Sequence, residues 1–121
     1  MIVTKIGQLP PEMINPQGEN LQEILGLVAG GAKSHSLARV TIPPGNASAP
    51  HFHKESEESY LILSGIATML INEDNFKLDP GEAVLIEPFE VHQISNQEDQ
   101  DLVFLAVCVP AWHPEDSFDA D

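Results

Sequence analysis

Between Gly45 and Gly65 the chain sets ligand-type side chains between two glycine-marked turns, and that arrangement leaves few folds open. The run reads Gly45-Asn-Ala-Ser-Ala-Pro-His51-Phe-His53-Lys-Glu-Ser-Glu-Glu58-Ser-Tyr60-Leu-Ile-Leu-Ser-Gly65. In an extended segment successive side chains point to opposite faces, so His51 and His53 share a face about 7 Å apart. Two imidazoles so placed can converge on one ion. Glu58 lies an odd number of residues beyond His53, and an unbroken strand would turn its carboxylate away. The run from Lys54 to Glu57 is therefore expected to bend, bulge or loop. Beyond it Glu58, Tyr60 and Ile62 face inward, while Leu61 and Leu63 face the other way.

A second stretch, Gly81-Glu-Ala-Val-Leu-Ile-Glu87-Pro88-Phe89-Glu-Val-His92-Gln-Ile-Ser-Asn96, reads as turn, apolar strand, turn, then a new strand carrying His92. Three imidazoles and a carboxylate form a nitrogen-rich donor set for a divalent metal, with open positions if the ion is five- or six-coordinate. Open positions are what a reaction requires.

These two stretches resemble the paired motifs of the cupin superfamily. The first motif there is a glycine, five residues, His-x-His, three or four residues, Glu, six residues and Gly. Gly45, His51, His53, Glu58 and Gly65 match every fixed position, and Glu57 would leave the wrong spacing to Gly65. In the second motif Gly81, His92 and Asn96 match, whereas Glu87 stands at the usual proline and Phe89 at the usual glycine. The resemblance spans roughly Arg39 to Val109. It implies a single-domain all-β jelly roll, the double-stranded β-helix barrel, with His51, His53, Glu58 and His92 holding Fe, Mn, Ni, Co or Zn. It also implies a two-fold homodimer, and a dioxygenase or isomerase acting on a small oxygen-bearing molecule. The alternative is a non-catalytic module that binds a small ligand or the metal alone.

The rest of the chain agrees with a barrel. It has 121 residues, 42% of them apolar, with 10 Pro and 8 Gly, which suits short strands and tight turns in a single domain. Residues 1–30 read as an N-terminal arm and first strand, with Ile2-Val3 and Gln22 to Ala29 as strand candidates. Residues 31–110 read as the barrel with both motifs, and 111–121 as an acidic, loosely held tail. Further strands are expected at His35 to Ile42, Ser59 to Leu63, Ala67 to Ile71, Val84 to Ile86, His92 to Ile94 and Leu102 to Val109. The last is apolar on both faces and so central.

Two residues are candidates for catalysis. Arg39, one of five basic residues, either lines the cavity and holds a substrate carboxylate or pairs with an acid on the surface. Tyr60 shares the face of Glu58 and either donates a proton or packs with its hydroxyl satisfied. Asn96 is read as holding a turn, Phe89 as a rim, Cys108 as a small core residue, and His35 and His113 as ordinary histidines. A formal charge of −14 repels phosphate backbones and anionic lipid surfaces, which argues against nucleic-acid and membrane partners. One cysteine makes no internal disulfide, and no signal or spanning segment is visible, so a cytoplasmic location is expected.

Overall fold

Apolar residues at every second position give each principal strand one side to bury, and the buried sides meet in a shared interior. The strands are β1 (Met13–Ile14), β2 (Asn20–Leu25), β3 (Ser36–Ile42), β4 (His51–Phe52), β5 (Glu57–Ser64), β6 (Ala67–Ile71), β7 (Asp74–Leu78), β8 (Ala83–Ile86), β9 (His92–Ser95), β10 (Leu102–Val109) and β11 (Phe118–Asp119). The computed structural model describes residues 1–16 and 18–120. Gln17 of the N-terminal arm and Asp121 of the acidic tail lie outside the described residues.

One sheet runs β1-β2-β3-β10-β5-β8 and the other β11-β4-β9-β6-β7. Every pairing of neighbouring strands within each sheet is antiparallel. The two sheets pack face to face as the expected all-β jelly roll, or double-stranded β-helix. Val40 and Ile42 of β3, Ile62 of β5, Met69 of β6, Ile94 of β9 and Phe104 of β10 fill the core. Strand β10 is central, bonded to β3 on one side and β5 on the other. Its inner residues are buried, but Val103, Leu105 and Val107 on its outer face are only half-buried.

Two turns show why particular residues are required. At the joint between β5 and β6, Gly65 has φ +82°, and a Cβ there would sit 2.6 Å from the Asp101 carbonyl oxygen. Glycine alone fits. At the second turn Phe89 adopts φ +70° where the motif carries glycine, and its N–H donates to the His53 carbonyl at 2.7 Å. The turn is thus retained without the glycine.

The ends of the chain differ from expectation. Ile2-Val3 forms no strand; the segment turns once at Ile6–Gln8, and Thr4 donates its hydroxyl to the Ile24 carbonyl. The acidic tail is not loosely held. β11 pairs with β4, Phe118 stacks on Phe52 with ring centroids 5.4 Å apart, and Asp116 is 4% exposed. Acidic composition suggested solvation, but Asp116 meets a loop rich in unpaired N–H groups.

Candidate metal centre

Strand pairing brings together donors distant in sequence. In the β4–β9 ladder His51 lies directly opposite His92, so the rings emerge on one face with centroids 4.2 Å apart. β5 turns Glu58, Tyr60 and Ile62 inward and Leu61 and Leu63 outward. Between His53 and β5 the chain leaves the strand path at Lys54 to Ser56, which lets Glu58 reach the histidine face. Asp116 holds that bend. Its carboxylate accepts N–H groups from Lys54 at 2.9 Å, Glu55 at 3.0 Å and Ser56 at 3.0 Å.

Each imidazole is fixed through Nδ1. His51 donates to the Ala49 carbonyl at 2.8 Å, His53 to the Asp116 carbonyl at 2.7 Å and His92 to the Glu90 carbonyl at 2.9 Å. A carbonyl oxygen only accepts, so Nδ1 carries the proton and each neutral ring presents a bare Nε2. The Nε2 atoms of His53 and His92 lie 3.3 and 3.2 Å from one oxygen, Glu58 Oε1. Lone pairs face lone pairs there unless a proton or a cation stands between them. His53 Nε2 is buried and lacks a hydrogen-bond partner. Donor atoms of all four residues lie within 4.8 Å of one another. This cluster could hold one divalent metal, and its chemistry fits such an ion.

Electrostatics follow from the same packing. Burial disfavours charge on Glu58, but the close approach of the His53 and His92 rings outweighs it and holds the carboxyl well below its usual range. Burial, and next the nearby His92, lower His51 to about 4 and keep it neutral. For His53 burial acts in the same direction, yet the contact with Glu58 overrides it and raises the group.

The other expected site residues are distributed unevenly. Tyr60 is buried and donates its hydroxyl to Glu58 Oε1 at 3.2 Å. Burial and the Glu58 charge hold it protonated. Arg39 does not join the cluster. Alternation on β3 sends Ala38, Val40 and Ile42 into the core and Arg39 to the opposite face, where it bonds Gln22 at 3.3 Å. Asn96 builds a turn, donating to the carbonyls of Ile42 and Gln100.

Three residues near the site were not singled out for it from sequence. Cys108, directly opposite Glu58 across β10 and β5, donates its thiol to Oε2 at 3.1 Å; period-two spacing from Phe104 could have placed it inside. Asp116 carries no sequence signal, since its partners are some sixty positions away in the chain. Glu19 lines a cavity of about 400 Å³ together with His51, Asn15, Leu21, Trp112 and Asp119. It sits two positions before the core-packed Leu21, just ahead of β2.

Comparison with known proteins agrees with this architecture. The family model described as Cupin domain matches residues 38–108, which include both motifs. An uncharacterized protein of Methanocaldococcus jannaschii is 30% identical over 115 residues, covering 95% of this chain and 83% of that protein. An oxalate-binding protein of Thermotoga maritima is 29% identical over 113 residues, covering 89% and 93%. A crystal structure of a predicted oxalate decarboxylase from Thermotoga maritima superposes with a TM-score of 0.76 at 27% identity, covering 90% of this chain and 99% of that one. With four inward donors on a jelly roll and a matching family pattern across both motifs, the chain belongs to the cupin family.

Proposed function

We propose that the protein is a mononuclear cupin in which His51, His53, Glu58 and His92 hold one divalent transition metal ion and a small oxygen-bearing molecule binds beside it. The observation that carries this reading is the set of three Nδ1-to-carbonyl bonds, which leaves bare Nε2 atoms around a single carboxylate. The donor set suits Fe, Mn, Ni, Co or Zn. When bound, the ion supplies Lewis acidity toward an oxygen of the small molecule. Tyr60 and Cys108 act on Glu58, each holding one carboxylate oxygen, and are positioning residues. The proposed division of the chain keeps 31–110 as the barrel that carries the donors. Parts of 1–30 and 111–121 close its mouth, since both line the cavity.

The first reading is an enzyme of dioxygenase or isomerase type. The second, a non-catalytic binding module, is favoured by the likeness to an oxalate-binding protein and by a Tyr60 hydroxyl directed at Glu58 rather than into the cavity. A homodimer is proposed on the outer face of the six-stranded sheet, where Leu61, Leu63, Leu85 and Val109 are exposed. Sedimentation at micromolar concentration tests it, and a monomer alone refutes it. No helix among the described residues is long and apolar enough to cross a membrane. The cytoplasm is the proposed location, as one cysteine requires no oxidising compartment.

Glu58→Gln tests the metal reading. The amide can donate to a bare Nε2, so the metal-free variant keeps or gains thermal stability while ion affinity falls about 100-fold or more. Retained tight binding, measured by elemental analysis and chelator competition, would sink the proposal. Oxygen-consumption and isomerase screens on keto acids and thiols then separate the two readings: conversion supports the enzyme, saturable binding without conversion the module.

A further inference from the structure

Glu19 is a carboxylate that the proposed metal site leaves unused, and it is held in a way that surface acids are not. It lies immediately before β2 and lines the same cavity wall as Leu21, which packs on the core. Its Oε1 accepts from Asn15 Nδ2 at 2.6 Å, and its own N–H donates to Asn15 Oδ1 at 3.0 Å. The Asn15 N–H returns to the Glu19 carbonyl at 3.1 Å. These bonds clamp the residue at the cavity wall, while Oε2 has no hydrogen-bond partner among the described residues. Burial, and next the Glu58 charge, raise its carboxyl to about 7.

The cavity that Glu19 shares with His51 has room for a small molecule, at about 400 Å³. No Lys or Arg is among its described lining residues, and the exposed Asp119 adds a second acid at the rim. A metal with a +2 charge and the Glu58 carboxylate leave one net positive charge for a ligand. A monoanion matches that charge, whereas a dianion meets the excess negative field of Glu19 in a partly desolvated space. A ligand that also offers an O–H can donate it to Oε2.

Resting on the metal-site reading above, we propose that Glu19 is the ligand-selecting residue of this cavity. Its free oxygen accepts the hydroxyl of a monoanionic α-hydroxy acid bound beside His51, and its charge disfavours dianions that lack a donor.

The test is calorimetric titration of the cobalt(II)-loaded protein at about pH 8, above the Glu19 range, with glycolate as the O–H-bearing monoanion and oxalate as the dianion. Oxalate chelates metals more strongly than glycolate in itself, so the quantity read is the ratio of the two dissociation constants in each variant. In Glu19→Gln that ratio shifts on the order of tenfold toward oxalate. Glu19→Asp, which keeps the charge, stays within threefold of wild type. Asp99→Asn, at an exposed site in the β9–β10 loop outside the cavity lining, also stays within threefold and controls for net charge. A shift below fivefold in Glu19→Gln with cobalt content unchanged overturns the proposal, as does an equal shift in Glu19→Asp or Asp99→Asn. Failure of cobalt-loaded wild type to bind either probe overturns this role alone. Failure of wild type to hold cobalt overturns the metal reading beneath it, and cobalt content distinguishes the two.

Discussion

Replacing Asp116 by alanine removes the acceptor that holds the bend between His53 and Glu58. Its carboxylate takes three backbone N–H groups, and they are not equivalent. Those of Lys54 and Glu55 belong to exposed residues, where water can replace the lost acceptor at about 0.5 kcal/mol each. Ser56 is 3% exposed, so its N–H is left buried and unpaired at about 2 kcal/mol. The sum, about 3 kcal/mol, is a large fraction of the stability of a small domain. The Asp116 backbone carbonyl still orients His53, so the histidines keep their tautomers. The bend that delivers Glu58 loosens, and ion affinity falls roughly 10- to 100-fold, as for other outer partners of metal ligands. Urea unfolding of the metal-free protein reads the first quantity and chelator competition the second. Stability within about 0.5 kcal/mol of wild type, together with affinity within about threefold, would refute the role assigned to the tail. Acid supplies a further check. Burial disfavours the Asp116 charge, but the N–H groups of Glu55, Lys54 and Ser56 outweigh it and hold the carboxyl below its ordinary 3.8. A depressed carboxyl contributes stability that is complete above 3.8 and lost as pH falls through the native value. The gap between wild type and Asp116→Asn therefore closes in that acid range.

Other variants separate further contributions. His51 titrates near 6.5 when unfolded and about 4 when folded, so the unfolded chain binds more protons between those values and metal-free wild type loses stability as pH drops through them. His51→Gln flattens that part of the urea-midpoint profile, and an unchanged slope counts against the buried neutral ring. Gly65→Ala places a Cβ against the Asp101 carbonyl at positive φ and costs about 2 kcal/mol or more by thermal unfolding; a neutral result means the joint relaxes freely. Asn96→Ala breaks three bonds made by a buried side chain and costs about 3 kcal/mol, yet leaves ion affinity within about threefold. A large loss of affinity would mean that the turn also shapes the metal cluster.

Much of the barrel and the donor set was legible locally. Glu58, Tyr60 and Ile62 share a face because backbone geometry imposes a period of two, and the odd spacing from His53 then requires the bend that the structure contains. Gly65 and the turn around Phe89 were marked by spacing, although Phe89 reaches the left-handed region without being glycine. Arg39 shows the limit of that approach. Alternation on β3 separates Arg39 from Val40, but which side becomes the interior depends on the sheet opposite.

The alternation of faces on β3, β5 and β10 is a local property of the backbone and can be read residue by residue, and the resemblance to the paired motifs adds the four donors; β1, β11 and the lack of a strand at Ile2-Val3 cannot be read that way. That Asp116 secures the bend, that Cys108 meets Glu58, that Glu19 faces the cavity and that Arg39 faces away from it depend on how the sheets come together. Those contacts arise between segments far apart in the chain, and their energies depend on which strands pair and what each burial leaves unsatisfied.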